Sequence, residues 1–203
     1  MSIAVTAAGE ATRDRILRLA DSLFAEHGYA RVSMRLVATA AGVTKPALYY
    51  HFRNKDALFE ECVLATQKRM GEMLRDASAS IGSLEERVTA VAQILLTGTP
   101  HHPVLIQNDI AEHLPAEVRD RLDRGFQENV IAPLAGLFAE AGTRGEMRPE
   151  VTDEVAATSI LGVCMAFLPV SPPPATGTPA AAPSAGMIAD VVLHGVSGRP
   201  AVT

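Results

Sequence analysis

The chain has 203 residues, of which 48% are hydrophobic, 20% charged and 4% aromatic. This composition is typical of a folded, mainly helical protein and excludes disorder for most of the chain. The two cysteines, Cys62 and Cys164, are too few and too far apart for a disulfide scaffold or a structural zinc site. We therefore expect free thiols and a cytoplasmic protein.

Charge is unevenly distributed along the sequence. Residues 1–56 contain eight Lys or Arg and five Asp or Glu, a net charge of +3, whereas the remainder carries a net charge of −8. A basic segment at one end of an acidic chain predicts that attraction for nucleic-acid phosphates is confined to that end.

The predicted elements begin after a tail. Residues 1–11 lack the basic start and apolar core of a secretory signal, and we predict a flexible segment there. A first helix is predicted over Thr12 to His27, because its apolar residues recur at helical spacing and Gly28 follows as a left-handed cap. Ser33 is a candidate N-cap for a short second helix, which Gly42 must end.

A third short helix is predicted between Thr44, a candidate N-cap, and about Phe52; Pro46 is tolerated in its first turn. Asn54 then caps a long fourth helix with one broad apolar face. Further along, Ser83 and Glu86 match a capping box.

The rest of the chain also predicts helices and no strands. The predicted segments are a fifth helix from Ser83 to Gly98, a sixth over 103–113, a seventh from Pro115 with a kink at Pro133, an eighth over 152–168 and a last over 184–194. The apolar run over 155–170 is shorter than the roughly 20 residues of a membrane span, so we expect a buried helix and no membrane contact. Residues 169–183 are rich in Pro, Ala, Thr and Gly and predict a loop.

The two short helices match a helix-turn-helix. Ala38 is small enough for the helices to cross closely, and Gly42 supplies a turn with positive φ. Leu36, Val37, Val43 and Leu48 are predicted to point into the core. The opposite face of the third helix suits the DNA major groove; it presents Thr44, Lys45, Ala47, Tyr49, Tyr50 and His51.

This segment resembles the DNA-binding domain of the TetR family of regulators. The resemblance rests on Gly28-Tyr29, on Ala38 to Gly42 and on residues 47–55, Ala-Leu-Tyr-Tyr-His-Phe-Arg-Asn-Lys. The resemblance implies an all-α fold of about nine helices, with a helix-turn-helix DNA-binding domain at residues 12–56. It also implies a ligand-binding and dimerisation domain at residues 57–203 and a homodimer through the last two helices. Ala47 departs from the pattern, because relatives often carry a phosphate-contacting Thr there.

The chemistry of these side chains predicts two roles. Tyr hydroxyls and Lys ammonium groups donate to phosphates, so we assign Tyr49, Tyr50, His51 and Lys55 to the DNA backbone. Base contacts are assigned to Thr44, Lys45 and Ala47, with Lys45 facing guanine acceptors and Ala47 a thymine methyl, and added contacts to Ser33 and Arg35. The alternative is a partly buried aromatic run beside solvated basic residues, but a Tyr-Tyr-His run on so short a helix cannot all be buried.

The resemblance implies a pocket for a small-molecule effector. Few aromatic residues and no cationic cluster favour an apolar ligand that is neutral or cationic rather than polyanionic. Apolar positions that could line it are Phe59, Met70, Leu95, Ile106, Ile110, Phe126, Val130 and Met165. Each could equally be plain core. Two rival interpretations stay open: a regulator without a small-molecule effector, controlled by a protein or constitutive, and an enzyme on the same scaffold.

Other chemistry has weaker support. His101, His102, Asp109, Glu112 and His113 cluster in sequence, but solvated helix ends explain them as well as a metal site does. No nucleophile elbow or phosphate loop is present, so we expect no catalytic residues, no metal and no cofactor. The expected partners are double-stranded operator DNA, the effector and a second copy of the chain.

Overall fold

The computed structural model describes residues 2–98, 103–168 and 183–195, and every regular element in these ranges is helical. The helices are α1 (Ser2–Arg31), α2 (Met34–Ala41), α3 (Lys45–His51), α4 (Lys55–Ser78), α5 (Leu84–Thr97), α6 (Pro103–His113), α7 (Ala116–Phe126), a π-helical turn (Gln127–Ile131), α8 (Ala132–Thr143), α9 (Asp153–Ala166) and α10 (Ala185–His194). The all-α prediction is confirmed, and counting α7, the π turn and α8 as one interrupted helix gives the expected nine in the described ranges.

Helix caps lie where the sequence predicts them. The side chains of Ser33 and Thr44 accept hydrogen bonds from the Leu36 and Ala47 amides, 3.2 Å and 3.3 Å away. Ser83 and Glu86 form the complete capping box. Each cap satisfies an amide that has no partner within the helix, which is why these local signals are readable from sequence.

Helix α1 differs from its prediction at the N-terminal end. It begins at Ser2 rather than Thr12, so the segment predicted as a flexible tail is helical. Near the other end, Gly28 adopts φ 74° and ψ 164°, a non-helical conformation inside the helix that a side chain would disfavour.

The helix around Pro133 is irregular, as predicted. The Ala132 amide donates to the Gln127 carbonyl, five residues back, which defines the π turn. Since Pro133 has no amide to donate, the Asn129 carbonyl, four residues before it, lacks its usual helical partner. The side chain of the same Asn129 donates to the Gly125 carbonyl at 2.8 Å. Gly71 of α4 lies against this turn: a Cβ there would be 2.3 Å from the Asn129 carbonyl oxygen.

The chain forms two compact units that differ from the predicted domains. The first contains residues 1–66 and 100–124, and the second contains residues 67–99 and 125–203. The first part of α4 and helices α6 and α7 pack with the N-terminal helices, and the predicted boundary at 56/57 stays a prediction. Fully buried residues of the first unit include Ile16, Leu48 and Leu58.

The second unit has a mainly aliphatic core, with Leu134, Leu137, Phe138, Ile160 and Ile188 at 0–1% exposure. A buried cation lies beside it. Arg87 donates to the Ser78 carbonyl at 2.7 Å and to Glu140 at 2.6 Å.

The apolar run, the two cysteines and the Pro-rich segment were also subjects of prediction. No helix of the described residues is long and apolar enough to cross a membrane, and most of the 155–170 run lies in α9. Cys62 and Cys164 are buried thiols that are not joined in a disulfide, and burial raises the pKa of Cys164 to about 11. Nearly all of the predicted Pro-rich loop, residues 169–182, lies outside the described residues.

Candidate nucleic-acid interface

Helices α2 and α3 and the turn between them form the predicted helix-turn-helix. Gly42 ends α2 in the left-handed region, at φ 62° and ψ 35°, and its amide donates back to the last turn of α2. Val37, Ala38 and Leu48 are at most 5% exposed, which places the inner faces of both helices in the core of the first unit. Leu36 is an exception, since it was predicted as core and is 38% exposed.

The outer face of α3 is polar and accessible. Tyr50 is 86% exposed and Tyr49 is 42% exposed, while Phe52 at the end of the helix is buried at 1%. The amide of Phe52 closes the helix on the Leu48 carbonyl at 2.9 Å. The alternative of a partly buried aromatic run is thus wrong for Tyr50, because the buried side chains here are those of Leu48 and Phe52.

The predicted base-reading residues lie at the N-terminal end of α3. Thr44 and Lys45 are exposed and Ala47 is half-buried. The Thr44 hydroxyl caps the helix as an acceptor, so its proton is left to donate. The Lys45 ammonium lies 5.8 Å from the centre of the Tyr49 ring. Small and cationic groups therefore share the end of the helix that enters a major groove in this motif.

The remaining predicted contacts surround this helix. His51 is half-buried, with its ring 5.2 Å from that of Tyr50 in an edge-to-face arrangement. Ser33 and Arg35 are exposed at the start of α2. The structure thus places eight of the nine predicted DNA-contacting residues on α2, on α3 or in the residues that cap them.

Lys55, the ninth, is placed differently. Its side chain is half-buried, and its Nζ donates to the Tyr29 carbonyl at 3.0 Å and lies 3.8 Å from the centre of the Tyr29 ring. Burial lowers the pKa of Lys55, against the opposing effect of the Asp56 and Asp109 carboxylates. The ammonium that the sequence assigned to a phosphate is engaged with the protein.

Two carboxylates beside α3 are neutralised by arginines. Glu60, only 8% exposed, accepts two hydrogen bonds from Arg121 of α7, and Glu61 accepts one from Arg13 of α1. The hydrogen bonds that Arg121 donates to Glu60 raise the pKa of Arg121. These pairs remove uncompensated negative charge from the neighbourhood of the exposed face. Sequence reasoning missed them because the partners are 48 and 61 residues apart.

The candidate metal residues have another role. Asp109 accepts a hydrogen bond from the Tyr29 amide at 2.9 Å, and the His113 ring stacks on the Tyr29 ring with 5.2 Å between centres. For Asp109 and His113, neither the metal site nor the solvated helix end describes this arrangement, whereas Glu112 is exposed near the end of α6. No group of three potential metal ligands occurs among the described residues, and His101 and His102 lie outside them.

The predicted pocket residues divide between the two cores. Phe59, Ile106 and Ile110 pack in the first unit, where Phe59 makes edge-to-face contacts with two rings. The second unit holds the others; Met70, Leu95, Phe126 and Val130 pack in its core, and Met165 is half-buried on α9. The pocket stays a prediction.

Comparisons with known proteins agree with this geometry. Residues 16–62 match the family model described as bacterial regulatory proteins, tetR family. The chain is 30% identical over 165 residues to the HTH-type transcriptional repressor BepR of Brucella suis biovar 1, covering 77% of this chain and 78% of that protein.

Two solved structures are similar over most of the chain. A transcriptional regulator of the TetR/AcrR family from Thermobifida fusca YX-ER1 is 26% identical, with a TM-score of 0.66 over 92% of this chain and 98% of that one. AibR, solved in complex with isovaleryl coenzyme A and operator DNA, is 25% identical, with a TM-score of 0.61 over 90% of this chain and 96% of that one. The chain belongs to the TetR family of bacterial transcriptional regulators, which are DNA-binding proteins and not enzymes.

Proposed function

We propose that the chain is a repressor that binds a two-fold symmetric operator as a homodimer and is released by a small apolar ligand. The observation that carries the proposal is the exposed polar face of α3, anchored from behind by Leu48 and Phe52. The relative BepR is named as a repressor, which favours repression over activation.

On the operator, Thr44, Lys45 and Ala47 read base edges, and Tyr49, Tyr50 and His51 donate to phosphates. Two features support this division. The first turn of α3 has a small side chain and a flexible cation side by side, which suits a groove floor. The aromatic residues lie further along the helix, and the highly exposed Tyr50 hydroxyl is able to reach outward to a backbone oxygen. Ser33 and Arg35 add contacts from the start of α2.

Dimerisation is assigned to α9 and α10. Three large apolar side chains on or next to these helices are solvent-exposed in the single chain: Val155 at 56%, Phe167 at 49% and Met187 at 60%. Small exposed residues, Gly162 and Ala166, lie on the same α9 helix and permit close approach of a second helix. A two-fold dimer presents two copies of α3 to two half-sites.

The effector is assigned to the second unit, whose core is mainly aliphatic. AibR was solved with isovaleryl coenzyme A, a ligand with a short branched apolar acyl group. A ligand releases the protein from DNA only if it binds the free state more tightly than the bound state. Coenzyme A is polyanionic, unlike the neutral or cationic ligand that the sequence favours, so acyl coenzyme A thioesters and neutral esters of the same acyl groups are the first compounds to test.

The experiment begins by selecting bound sequences from a random DNA pool with the full chain. A two-fold symmetric consensus is expected, and Lys45→Ala should alter the preferred base at one position in each half-site. Lys68→Ala, which removes an exposed lysine outside the helix-turn-helix, is the matched control and should leave the consensus unchanged. An unaltered consensus with Lys45→Ala contradicts base reading by Lys45.

The selected operator then serves for the ligand screen. Acyl compounds of increasing chain length are added to the protein-operator complex, and release is followed by fluorescence anisotropy. Release by a defined compound, together with binding of that compound to free protein by calorimetry, supports the effector. Operator binding that no compound alters favours the rival, a regulator without a small-molecule effector.

A further inference from the structure

Tyr29 lies in the last turn of α1, directly after the break at Gly28, and most of its polar partners are distant in sequence. Its amide donates to Asp109 on α6 at 2.9 Å, and its hydroxyl donates to Asp56. Its carbonyl accepts from Lys55 Nζ at 3.0 Å and from the Val32 amide at 3.3 Å. We call Tyr29 with Lys55, Asp56 and Asp109 the Tyr29 clamp.

The ring of Tyr29 is held as firmly as its backbone. It is 7% exposed, lies edge-to-face with Phe59 at 5.1 Å, and stacks on Phe24 and His113 with centres 6.1 Å and 5.2 Å apart. The Lys55 ammonium lies 3.8 Å from the ring centre, within the range of a cation-π contact. The residue therefore has little freedom to rotate or shift.

Tyr29 lies in the short segment that leads from the break in α1 to the N-cap of α2. Gly28, directly before it, breaks the helical backbone with φ 74°, and Ser33, four residues after it, caps α2. The segment between these two residues sets the direction in which α2, and α3 behind it, leave α1. A hydrogen bond from the Tyr29 amide to Asp109 fixes that segment against α6, which belongs to the same compact unit.

We propose that Asp109 and Lys55 are positioning residues for operator binding, which hold the two backbone groups of Tyr29 and thereby fix the presentation of α2 and α3 to DNA. The inference rests on the proposed function, since it requires that α3 bind the operator. It also replaces the sequence-based assignment of Lys55 to a phosphate, because the structure gives its ammonium a partner within the protein.

Asp109 allows a test in which electrostatics and positioning oppose one another. Removing a carboxylate from a DNA-binding unit reduces repulsion of phosphates, so charge alone predicts equal or tighter binding. Asp109→Ala should instead bind the selected operator about tenfold more weakly, because a hydrogen bond to a charged acceptor is lost. The matched control, Glu112→Ala, removes the same charge from an exposed position on α6 and should bind no more weakly than the wild type.

Conservative substitution separates positioning from folding. Asp109→Asn keeps a carbonyl oxygen that can accept from the Tyr29 amide, and it should restore most of the lost affinity. Hydrogen exchange adds a readout that needs no DNA: the Tyr29 and Val32 amides should exchange faster in Asp109→Ala while amides of α9 are unchanged. Affinity and exchange equal to the wild type in Asp109→Ala would overturn the proposal.

The salt dependence of binding tests Lys55. A lysine that neutralises a phosphate contributes about 0.9 to the slope of log affinity against log salt concentration. Lys55→Met should weaken binding with the slope unchanged, whereas Arg35→Met, which replaces an exposed cation at the start of α2, should reduce the slope. A slope reduced equally by Lys55→Met overturns the positioning role of Lys55.

Failure of the proposed function has a different signature. If the wild type selects no DNA, operator binding itself is wrong, and the exchange rates still report whether Asp109 holds Tyr29. If the wild type selects an operator and Asp109→Ala binds it as well as the wild type does, the positioning role alone is wrong.

Discussion

Each of the two compact units has its own buried apolar core, and the units differ in the polar contacts that accompany it. In the first, directional contacts converge on Tyr29, and ion pairs attach α1 and α7 to α4 through Glu61 and Glu60. In the second, aliphatic side chains at 0–1% exposure fill the core, with Arg87 as a buried hydrogen-bonding group. Directional contacts fix angles, whereas aliphatic packing is sensitive mainly to volume.

This difference agrees with the tasks of the two units. A DNA-reading surface has to place side chains within hydrogen-bond reach of fixed base and phosphate positions, and directional contacts behind α2 and α3 provide that precision. A unit that receives an apolar ligand requires apolar volume and few polar atoms. Volume changes in the core of the second unit should therefore act on stability, while the loss of single polar atoms in the first unit should act on DNA affinity.

The largest expected effect is a loss of core volume in the second unit. Ile160→Ala removes a side chain at 0% exposure, and the free energy of unfolding should fall by about 2–5 kcal/mol because a cavity remains. Ile81→Ala makes the same chemical change at a fully exposed position and should alter stability by less than about 0.5 kcal/mol. Urea unfolding of the full chain at one protein concentration measures both. Equal losses in the two variants would contradict the assigned core.

Added volume in the same unit should have the next largest effect. Gly71→Ala places a Cβ 2.3 Å from the Asn129 carbonyl oxygen, so α4 and the π turn must separate, at a cost of about 1–3 kcal/mol. Gly136→Ala is the control, since no atom lies within 4 Å of its Cβ. That control should stabilise α8 by up to about 1 kcal/mol, because alanine favours a helix over glycine. Opposite signs of the two changes in unfolding free energy are the diagnostic result.

Local signals explain most of what the sequence predicted correctly. The caps at Ser33, Thr44 and Ser83 depend only on residues within one turn, and the end of α2 depends on the positive φ that Gly42 can adopt. A short window of sequence is therefore sufficient to predict them. The start of α1 was wrong, since residues 1–11 contain no stop signal that outweighs helix propagation from α1. Leu36 was assigned to the core because the inner face of an eight-residue helix is narrow and its edge is poorly defined by periodicity.

Long-range partners explain what the sequence could not provide. Asp109 and Tyr29 are 80 residues apart, and the hydrogen bond between them has no signature in either segment. The sequence could not show for the same reason that α6 and α7 pack in the first unit, because no linker pattern marks that packing. Resemblance to a known family identified the helix-turn-helix, where many motif residues match. For the second unit, where few residues are diagnostic, it implied a ligand pocket and a dimer without identifying their residues.

A single polar atom on α3 provides the third test. Tyr50→Phe removes one hydroxyl from a side chain at 86% exposure, so stability should be unchanged while operator affinity falls about threefold to tenfold. The loss should be similar on the operator and on unrelated DNA, because a phosphate contact carries no sequence information. Anisotropy titrations with both duplexes measure it. A loss confined to the operator would assign Tyr50 to a base.

The smallest expected effect concerns the polar contact of the second unit. A hydrogen bond from Arg87 lowers the pKa of Glu140, and the nearby Arg144 contributes in the same direction at 3.0 Å. Because the folded-state pKa is the lower one, the ionised pair stabilises the folded chain above the unfolded pKa of Glu, about 4.3. This stabilisation is lost as the pH falls below that value and through the folded pKa.

Glu140→Gln should therefore be less stable than the wild type at neutral pH, and the difference should shrink as the pH is lowered below the unfolded pKa of Glu, about 4.3. Urea unfolding at a series of pH values measures the difference directly. Glu150→Gln, at an exposed position in the turn before α9, is the control for removing one carboxylate from this acidic chain. A difference that stays constant with pH would mean that the introduced amide disturbs packing, and that Arg87 is held by the Ser78 carbonyl and not by the charge of Glu140.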